Sequence, residues 1–274
     1  MERFERVARA AVDEAGATLL RTWREAKTIH RKGVVDLVTE TDKEIESTIV
    51  AQLSSAFPDH LVIAEESSTS IGGKIARPPH DRYVWYLDPL DGTTNFAHAY
   101  PHFAVSLALA RGERLVLGIV HDAVRGETFV AKEGAGAMLN DRTIRVSPVD
   151  ALDEALLATG FPYDRRENLD AYLEYFADMV RRSQGVRRNG SAALDLCYVA
   201  CGRLDGFWEW KLRPWDTAAG CLVVREAGGM VTDFRGAEFD LFGSQTLASN
   251  GRIHAAMAAT LTARLDSSAA GMAS

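Results

Sequence analysis

The stretch "YVWYLDPLDGTTN", Tyr83–Asn95, carries two carboxylates directly after a run of apolar residues. The apolar run predicts a buried strand, and Asp88 stands where that strand should end. Turns favour Pro, Asp, Gly and Asn, so a polar turn would account for part of the motif. A turn does not require the second carboxylate, Asp91, or the adjacent hydroxyls of Thr93 and Thr94. The motif is therefore a candidate catalytic loop that follows a strand.

The composition is that of a folded globular protein, with 47% hydrophobic and 25% charged residues in a chain of 274. The net charge of −7 argues against a nucleic-acid binder that works through bulk positive charge. The N-terminus is charged from its second residue, and no apolar run approaches the length of a membrane span. We expect a cytoplasmic protein that does not contact a membrane.

The three cysteines, Cys197, Cys201 and Cys221, occur in a chain without export signals. This context argues against a disulfide framework. Cys197 and Cys201 lie in an apolar helical pattern with no second Cys/His pair nearby, so we expect buried helix residues rather than zinc ligands.

Helical and strand patterns alternate along the chain. Apolar residues recur every three or four positions from Phe4 to Trp23, which predicts a long amphipathic first helix. Short apolar runs between residues 103 and 147 predict an antiparallel meander. Further helices are predicted from Asp42 to before Pro58 and over 167–182, 192–202, 215–229 and 253–264. Further strands are predicted at 61–66, 83–88, 155–161, 204–210, 230–234 and 245–250. Residues 68–81 are expected to form a mobile linker or hairpin tip, and 266–274 a frayed tail.

These patterns predict an α/β fold, in an α+β layered arrangement with much antiparallel sheet. Two halves meet near residue 150. We expect an N-terminal α+β half, 1–150, that contains the candidate catalytic loop, and a C-terminal α/β half, 151–274, that completes the site around it. We expect one compact unit because no low-complexity linker separates the halves.

Carboxylates recur where the predicted strands end. Glu65 and Glu66 follow "LVIA", Asp88 follows "YVWYL", Asp91 lies just beyond it, and Asp216 opens the helix that contains "WDTAAG". Acids at strand ends can converge on one crevice, where α/β sheets tend to place ligands. Clustered carboxylates repel one another unless a cation lies among them, and hard oxygen ligands select Mg²⁺, Mn²⁺ or Ca²⁺. The lack of histidine in these segments disfavours zinc, while a single Asp at a helix start could be only an N-cap.

Other motifs built from acids and glycines fit less well. Haloacid-dehalogenase-type phosphatases use Asp-x-Asp-Gly-Thr, whereas two residues separate Asp88 from Asp91. The calcium loop of an EF-hand places its acids at every second position. The chain has no Gly-x-Ser-x-Gly elbow, and "IGGKI" lacks the spacing and the Ser/Thr of a phosphate loop. A covalent aspartate nucleophile and nucleotide hydrolysis are therefore disfavoured.

The motifs together resemble those of the inositol monophosphatases, a lithium-sensitive, Mg²⁺-dependent phosphatase superfamily. The resemblance rests on "DLVTETD", "IAEES", "WYLDPLDGTTNFAHAYPHFAVSLAL", "GSAALDLCYVACGRLDGFWE" and "PWDTAAGCLVVREAGG", which follow the family's order across most of the chain. It implies an alternating αβαβα sandwich of the sugar-phosphatase type, a homodimer and hydrolysis of a phosphate monoester. Ala64 departs from the Gly-Glu-Glu that the family commonly has there.

The resemblance also implies a site for two or three Mg²⁺ ions, for which Mn²⁺ could substitute. Glu65, Asp88 and the backbone carbonyl of Leu90 would hold the first ion. Asp88, Asp91 and Asp216 would hold the second, and Glu65 with water molecules a weaker third. Such ions neutralise a doubly negative phosphate monoester, supply a hydroxide-like nucleophile and stabilise the leaving alkoxide.

Catalytic and phosphate-binding residues follow from the same resemblance. Asp42 would orient Thr93, and this pair would deprotonate the attacking water or position it, two roles that the sequence does not separate. The backbone N–H groups of Gly92, Thr93 and Thr94 would cradle the phosphate where the loop opens into a helix.

On the alcohol side, the resemblance implies a backbone stretch and an acid, with an arginine lining the same pocket: Gly190, Ser191, Ala192, Glu209 and Arg187. A carboxylate accepts hydrogen bonds from hydroxyl groups, so Glu209 favours a polyhydroxylated alcohol such as inositol. Fructose 1,6-bisphosphate, histidinol phosphate and 3′-phosphoadenosine 5′-phosphate are alternative substrates within the superfamily.

A second class of function is a regulatory protein that binds RNA or another protein and keeps the fold. Such a protein would have eroded acids and a broad basic face, whereas the acids are intact and the net charge is −7. The small cluster Arg181, Arg182, Arg187 and Arg188 is expected to form a solvated rim. We therefore expect a small phosphorylated polyol or sugar as the partner, without nucleic acid.

Overall fold

The structure, a computed structural model, describes residues 1–25, 29–31, 37–68 and 75–271. Two helices, α1 (Glu2–Thr22) and α2 (Glu40–Ala56), form the N-terminal part together with a two-stranded sheet of β1 (Ile29–Arg31) and β2 (Leu37–Thr39). The apolar pattern that predicted the first helix forms the buried face of α1. Part of the linker predicted over 68–81, residues 69–74, lies outside the described ranges.

Helix α2 begins at Glu40, two residues before the predicted start at Asp42. Thr39 is the N-cap, and its backbone N–H and hydroxyl donate to Asp42 Oδ2 at 2.8 and 2.5 Å. The carboxylate of Asp42 thus belongs to a capping box in the first turn, so it marks a position inside the helix and not its start. Asp42 is fully buried by this arrangement.

A seven-stranded sheet follows the chain order from β3 to β9. Its strands are β3 (Leu61–Ala64), β4 (Tyr83–Asp91), β5 (Ala104–Arg111), β6 (Arg114–Asp122), β7 (Glu127–Lys132), β8 (Gly136–Leu139) and β9 (Arg142–Thr143). The pairing of β3 with β4 is parallel, and each later neighbour in this sheet is antiparallel. The predicted antiparallel meander is confirmed.

A five-stranded sheet has the order β11-β10-β12-β14-β13. Its strands are β10 (Leu156–Thr159), β11 (Gly185–Arg187), β12 (Gly206–Trp210), β13 (Met230–Thr232) and β14 (Gln245–Ser249). The remaining helices are α3 (Thr93–Ala97), α4 (Leu169–Arg182), α5 (Ala192–Ala200), α6 (Pro214–Glu226) and α7 (His254–Gly271). Strand β10 is parallel to both of its neighbours, whereas β14 is antiparallel to both of its own.

Helix α7 continues past its predicted end at Arg264 as far as Gly271. Residues 265–270 contain no Pro or Gly, and the first glycine after them coincides with the last helical position. The predicted frayed tail is therefore wrong for residues 266–271, while 272–274 lie outside the described ranges.

Helices and sheets stack in five layers. Helices α1 and α2 cover one face of the seven-stranded sheet, where Trp85 is buried. Helices α5 and α6 fill the space between the two sheets, where Tyr86 of β4 and Phe207 of β12 belong to one apolar cluster. Helices α4 and α7 cover the outer face of the five-stranded sheet, where Trp208 packs with Met257. This order confirms the predicted αβαβα sandwich.

Two glycines allow α6 to lie close to its neighbours in the middle layer. A Cβ at Gly118 of β6 would come within 2.8 Å of the carbonyl oxygen of Ala219, and a Cβ at Gly220 within 2.7 Å of Leu196 in α5. Both distances are shorter than real Cβ contacts. Small residues at these positions therefore bring α6, with Asp216 in its first turn, close to the seven-stranded sheet.

The described residues contain no helix that is both long and apolar enough to cross a membrane. The three cysteines are free thiols, and Cys197 and Cys221 are fully buried in the layer of α5 and α6. The prediction of a buried helix residue is confirmed for Cys197, whereas Cys201 is the C-cap of α5 and is only partly buried.

Candidate active site

Asp88 and Asp91 point to the same side of the seven-stranded sheet because of a bulge. In a regular strand, residues three apart face opposite sides. Here Asp88 pairs with Ser106 and Asp91 pairs with Ala104, so three steps along β4 match two steps along β5. Ser106 and Ala104 lie on one face of β5, and their partners therefore share that face as well. The bulge turns both carboxylates towards the space between the sheets.

Asp91 connects the end of β4 with the start of α5. Ser191 Oγ donates to Asp91 Oδ2 at 2.5 Å, and the backbone N–H groups of Ala193 and Ala192 donate to its two oxygens at 2.8 and 3.3 Å. Burial raises the pKa of Asp91 to about 6, while these hydrogen bonds act in the opposite direction. The N-terminus of a helix suits a carboxylate, so α5 fixes Asp91 in place.

Asp216 lies in the first turn of α6, where the backbone N–H of Arg213 donates to its Oδ2 at 2.7 Å. Burial raises the pKa of Asp216 well above its usual range, and the charges of Glu65 and Asp91 raise it further. Burial likewise raises the pKa of Asp88, with Glu65, Asp91 and Asp216 adding to the effect. These carboxylates therefore lie within electrostatic range of one another.

In the part of the chain that the structure describes, no three acidic, histidine or cysteine side chains converge closely enough to form a ready-made metal site. The acids are nevertheless near enough for their charges to raise one another's pKa. Buried charges of one sign are costly unless a cation neutralises them. The donor set, carboxylate oxygens with a nearby backbone carbonyl, fits a hard divalent cation.

Thr93 joins the motif to α2. Its Oγ1 lies 3.1 Å from Asp42 Oδ1 and 2.9 Å from the carbonyl oxygen of Leu90, and its single proton can be donated to either acceptor. The other oxygen of Asp42 accepts from Thr39 in the capping box. The capping box of α2 therefore fixes the Asp42 carboxylate beside the Thr93 hydroxyl.

Gly92 is the N-cap of the short helix α3 and has a φ of 95°. An L side chain rarely adopts this conformation, and a Cβ here would also lie 3.0 Å from the carbonyl oxygen of His102. Asn95, one turn later, donates through Nδ2 to His102 O at 2.7 Å and to Asn189 O at 2.9 Å. The motif loop is thereby tied to the segment that precedes α5.

A cavity of about 570 Å³ opens between the two halves of the chain at this point. Of the predicted site residues, it is lined by Glu65, Asp88, Leu90, Asp91, Gly92, Thr93, Thr94, Gly190, Ser191, Ala192, Glu209 and Asp216. Asp42 lies behind Thr93 and outside the lining. The structure thus brings together residues that are up to 151 positions apart in the sequence, from Glu65 to Asp216.

Arg187 does not line the cavity, and Arg188 occupies that position instead. Arg187 is the last residue of the edge strand β11, and its side chain is exposed. Arg188 follows the strand, and its guanidinium lies 5.8 Å from the centre of the Phe161 ring. Where the strand ends decides which arginine faces the cavity, and the sequence does not show that end point.

Glu209 is nearly buried, and burial raises its pKa well above the usual range, while Arg188 opposes the shift. Asp195 of α5 is also buried in the lining, and burial raises its pKa to about 8. Asn189 Nδ2 donates to Asp195 Oδ1 at 2.7 Å. The alcohol side of the predicted site therefore contains two buried carboxylates, with Arg188 close enough to act on one of them.

Sequence reasoning did not single out several residues of the lining. They include Asp195, Lys211 and Asn95, while Arg188 was expected only on the solvated rim. Asn95 closes the opening motif and could have been included on that basis, whereas Lys211 reaches the site through a hydrogen bond to Asp164 on a distant segment. The others follow from strand register and helix packing, which have no local motif.

The comparisons with known proteins agree with this architecture. A sequence profile of the inositol monophosphatase family matches residues 1–266. The chain is 44% identical over 264 residues to the inositol-1-monophosphatase of Synechocystis sp., covering 96% of this chain and 90% of that protein. It is 43% identical over 269 residues to the Nus factor SuhB of Pseudomonas aeruginosa, covering 97% and 98%. The solved structure of inositol monophosphatase from Anabaena (Nostoc) sp. superposes with a TM-score of 0.83 at 38% identity, covering 95% of this chain and 96% of that one.

An αβαβα sandwich with a carboxylate-lined cavity at one edge of its middle layer defines the structural class. The chain belongs to the inositol monophosphatase family. The resemblance seen in the sequence is confirmed. Membership indicates a phosphatase of the metal-dependent kind, although relatives of similar identity carry either an enzyme name or a Nus factor name.

Proposed function

We propose that this chain is a Mg²⁺-dependent phosphomonoesterase that hydrolyses inositol monophosphate or a closely related small polyol or sugar phosphate. The observation that carries the proposal is the set of carboxylates Glu65, Asp88, Asp91 and Asp216, which line one cavity and act on one another electrostatically. Buried charges of one sign are costly unless a cation lies among them. Oxygen donors without histidine suit Mg²⁺, with Mn²⁺ as a substitute.

In this proposal Glu65, Asp88 and the carbonyl oxygen of Leu90 would hold one Mg²⁺, and Asp88, Asp91 and Asp216 would hold a second. Glu65 also contributes to a weaker third position. When bound, the ions would neutralise the phosphate, lower the pKa of a water molecule and stabilise the leaving alkoxide.

Thr93 and Asp42 would position the attacking water and receive its proton. When the single proton of the Thr93 hydroxyl is donated to Asp42, the lone pairs of its oxygen are available to accept from a water molecule on the cavity side. Thr93 is a weak base by itself, and the buried carboxylate of Asp42 would take the proton through it. The capping hydrogen bonds of Thr39 hold Asp42 rigidly enough for this role.

The phosphate would bind to the backbone N–H groups of Gly92, Thr93 and Thr94. The left-handed conformation of Gly92 turns the chain sharply before α3, which leaves successive N–H groups without partners inside that helix. The alcohol would then extend towards Gly190, Ala192 and Glu209 across the cavity, and hydroxyl groups suit the carboxylate of Glu209 as hydrogen-bond donors.

The test uses carboxamide variants of two proposed ligands. Asp91→Asn and Asp216→Asn should each lower Mg²⁺-dependent phosphate release from inositol monophosphate by at least about 100-fold, because a neutral amide holds a divalent cation poorly. Exposed Asp153, changed to Asn, is the matched control and should keep wild-type turnover. Full activity in both variants would contradict the proposal that Asp91 and Asp216 are metal ligands.

The substrate and the assembly are tested separately. We expect phosphate release from inositol monophosphate to exceed that from fructose 1,6-bisphosphate, histidinol phosphate or 3′-phosphoadenosine 5′-phosphate, and we expect Li⁺ to inhibit it. We also propose a homodimer, which light scattering on the eluting protein would detect. A preference for one of the other esters would keep the chemistry but replace the substrate.

A second candidate function is that of a regulatory protein, because several relatives of about 40% identity are named Nus factor SuhB. The exposed arginines at the ends of α4 and β11 would form the contact surface: Arg181, Arg182, Arg187 and Arg188. RNA binding whose affinity falls steeply with salt, and which is lost when these arginines are changed, would support this role beside the enzymatic one.

A further inference from the structure

We propose that Gly160 is a positioning residue that sets where the Glu209 carboxylate stands and thereby how the substrate's hydroxyl groups are recognised. This inference rests on the proposed function, because Glu209 is taken to contact the alcohol. Gly160 directly follows β10 and lines the cavity beside Glu209 of β12.

The strand register places the two residues together. Strands β10 and β12 are parallel neighbours in which Ala158 pairs with Phe207 and Thr159 pairs with Trp208. One further step brings Gly160 opposite Glu209. Thr159 Oγ1 donates to the carbonyl oxygen of Trp208 at 2.6 Å, which holds the strands together just before the cavity. Ala158 and Phe207 face the layer of α5 and α6, and period-two alternation turns Gly160 and Glu209 to the same side.

The Glu209 carboxylate lies directly over the Cα atom of Gly160. A Cβ at residue 160 would stand 2.0 Å from Oε2, 2.1 Å from Oε1 and 2.2 Å from Cδ of Glu209. Real Cβ atoms essentially never approach closer than 3.0 Å, so even a methyl group would displace the carboxylate by about 1 Å. The φ of Gly160 lies outside the left-handed region, so the backbone itself tolerates alanine.

The surroundings of Glu209 limit where it can go. The residue is 9% exposed and has the charge of Arg188 attracting it and that of Asp195 repelling it. A misplacement of about 1 Å in a group that orients a substrate can cost a large factor in binding or rate. Residue 160 must therefore lack a side chain so that Glu209 can contact the substrate's hydroxyl groups, although the strand backbone itself would tolerate alanine.

The experiment compares Gly160→Ala with Gly185→Ala on two substrates. A Cβ at Gly185, on the neighbouring strand β11, would make no contact closer than 3.4 Å, which makes it the matched control. Inositol monophosphate has hydroxyl groups for Glu209, and p-nitrophenyl phosphate has none. We expect Gly160→Ala to raise the ratio of the two KM values, inositol ester over aryl ester, by about tenfold, and Gly185→Ala to leave that ratio unchanged. An unchanged ratio in Gly160→Ala overturns the inference.

A double-mutant comparison separates positioning from a general structural effect. In a Glu209→Ala background the methyl group of Gly160→Ala meets no carboxylate, so the second change should leave the KM ratio where Glu209→Ala alone puts it. A further tenfold change in the double variant overturns the inference. A crystal structure of Gly160→Ala should show the carboxylate displaced by about 1 Å, and an unmoved carboxylate contradicts the inference too. A wild-type protein that hydrolyses neither ester would contradict the proposed function. The crystal structure of Gly160→Ala would still show whether residue 160 sets the position of the Glu209 carboxylate.

Discussion

Asp88→Asn should stabilise the protein in the absence of divalent metal ions. Asp88 is 2% exposed, and both burial and the charges of Glu65, Asp91 and Asp216 disfavour its ionised form. The hydrogen bond that it accepts from the backbone N–H of Leu90, at 2.9 Å, can also be accepted by the amide oxygen of asparagine. The substitution therefore removes an unfavourable charge without removing the hydrogen bond.

The size of the effect follows from the cost of a buried charge. Relief of such a group adds about 1–3 kcal/mol to the free energy of unfolding. The entropy of unfolding is about 2.1 cal/mol/K per residue, so a chain of 274 residues has about 0.6 kcal/mol/K. The melting temperature should rise by about 2–5 °C in EDTA.

The assay is thermal unfolding in EDTA and again in millimolar MgCl₂. Mg²⁺ should raise the melting temperature of the wild type by mass action, and it should do so much less in Asp88→Asn. The matched control is Asp205→Asn, because Asp205 is also buried but accepts from Ser147 Oγ at 2.5 Å and from Leu156 N at 2.6 Å. An amide cannot accept through its nitrogen, so this control should lower the melting temperature.

The same change from aspartate to asparagine should therefore shift the melting temperature in EDTA in opposite directions, upward at Asp88 and downward at Asp205. If Asp88→Asn lowers the melting temperature in EDTA as Asp205→Asn does, and still responds fully to Mg²⁺, the carboxylates are not a strained cation site. A metal site predicts that Asp88→Asn raises the melting temperature in EDTA and no longer responds to Mg²⁺, because functional sites commonly lower the stability of the fold.

Three further outcomes are expected. Thr93→Ala should lower kcat by about 100-fold and change KM little in steady-state kinetics, because the hydroxyl acts on the water and not on the substrate. Arg188→Ala should raise KM for inositol monophosphate by about tenfold while Arg187→Ala does not, since the first lines the cavity and the second does not. Burial lowers the pKa of His102 to about 4. As the pH falls, this imidazole is therefore protonated in the unfolded chain before it is protonated in the folded one. The contribution of His102 to the free energy of unfolding, measured in urea as wild type minus His102→Gln, should therefore fall by about 2 kcal/mol from pH 7.5 to pH 5, because the other titrating groups cancel in this difference.

Local patterns were sufficient to predict most of the elements. The apolar run of β4 was recognisable because both faces of that strand are buried, Val84 and Tyr86 on one side and Trp85 and Leu87 on the other. The start of α2 was placed two residues late because Asp42 was taken as the first helical residue, whereas Thr39 caps the helix and Asp42 completes the capping box.

The arrangement of the candidate site depends on contacts that no local pattern contains. Asp88 and Asp91 are three residues apart, and only the bulge opposite β5 turns them to the same side. The hydrogen bonds that fix Asp91 come from residues about 100 positions later, at the start of α5. Whether Arg187 or Arg188 lines the cavity depends on the residue at which β11 ends. Register and strand ends are set by tertiary packing, which explains why they were missed.

Phosphate release from inositol monophosphate, measured against Mg²⁺ concentration on the purified chain, tests the central claim most directly. The account predicts turnover that rises with Mg²⁺, vanishes in EDTA and is absent from Asp216→Asn. Turnover that persists undiminished in EDTA, or no release from any polyol or sugar phosphate at any Mg²⁺ concentration, would contradict it.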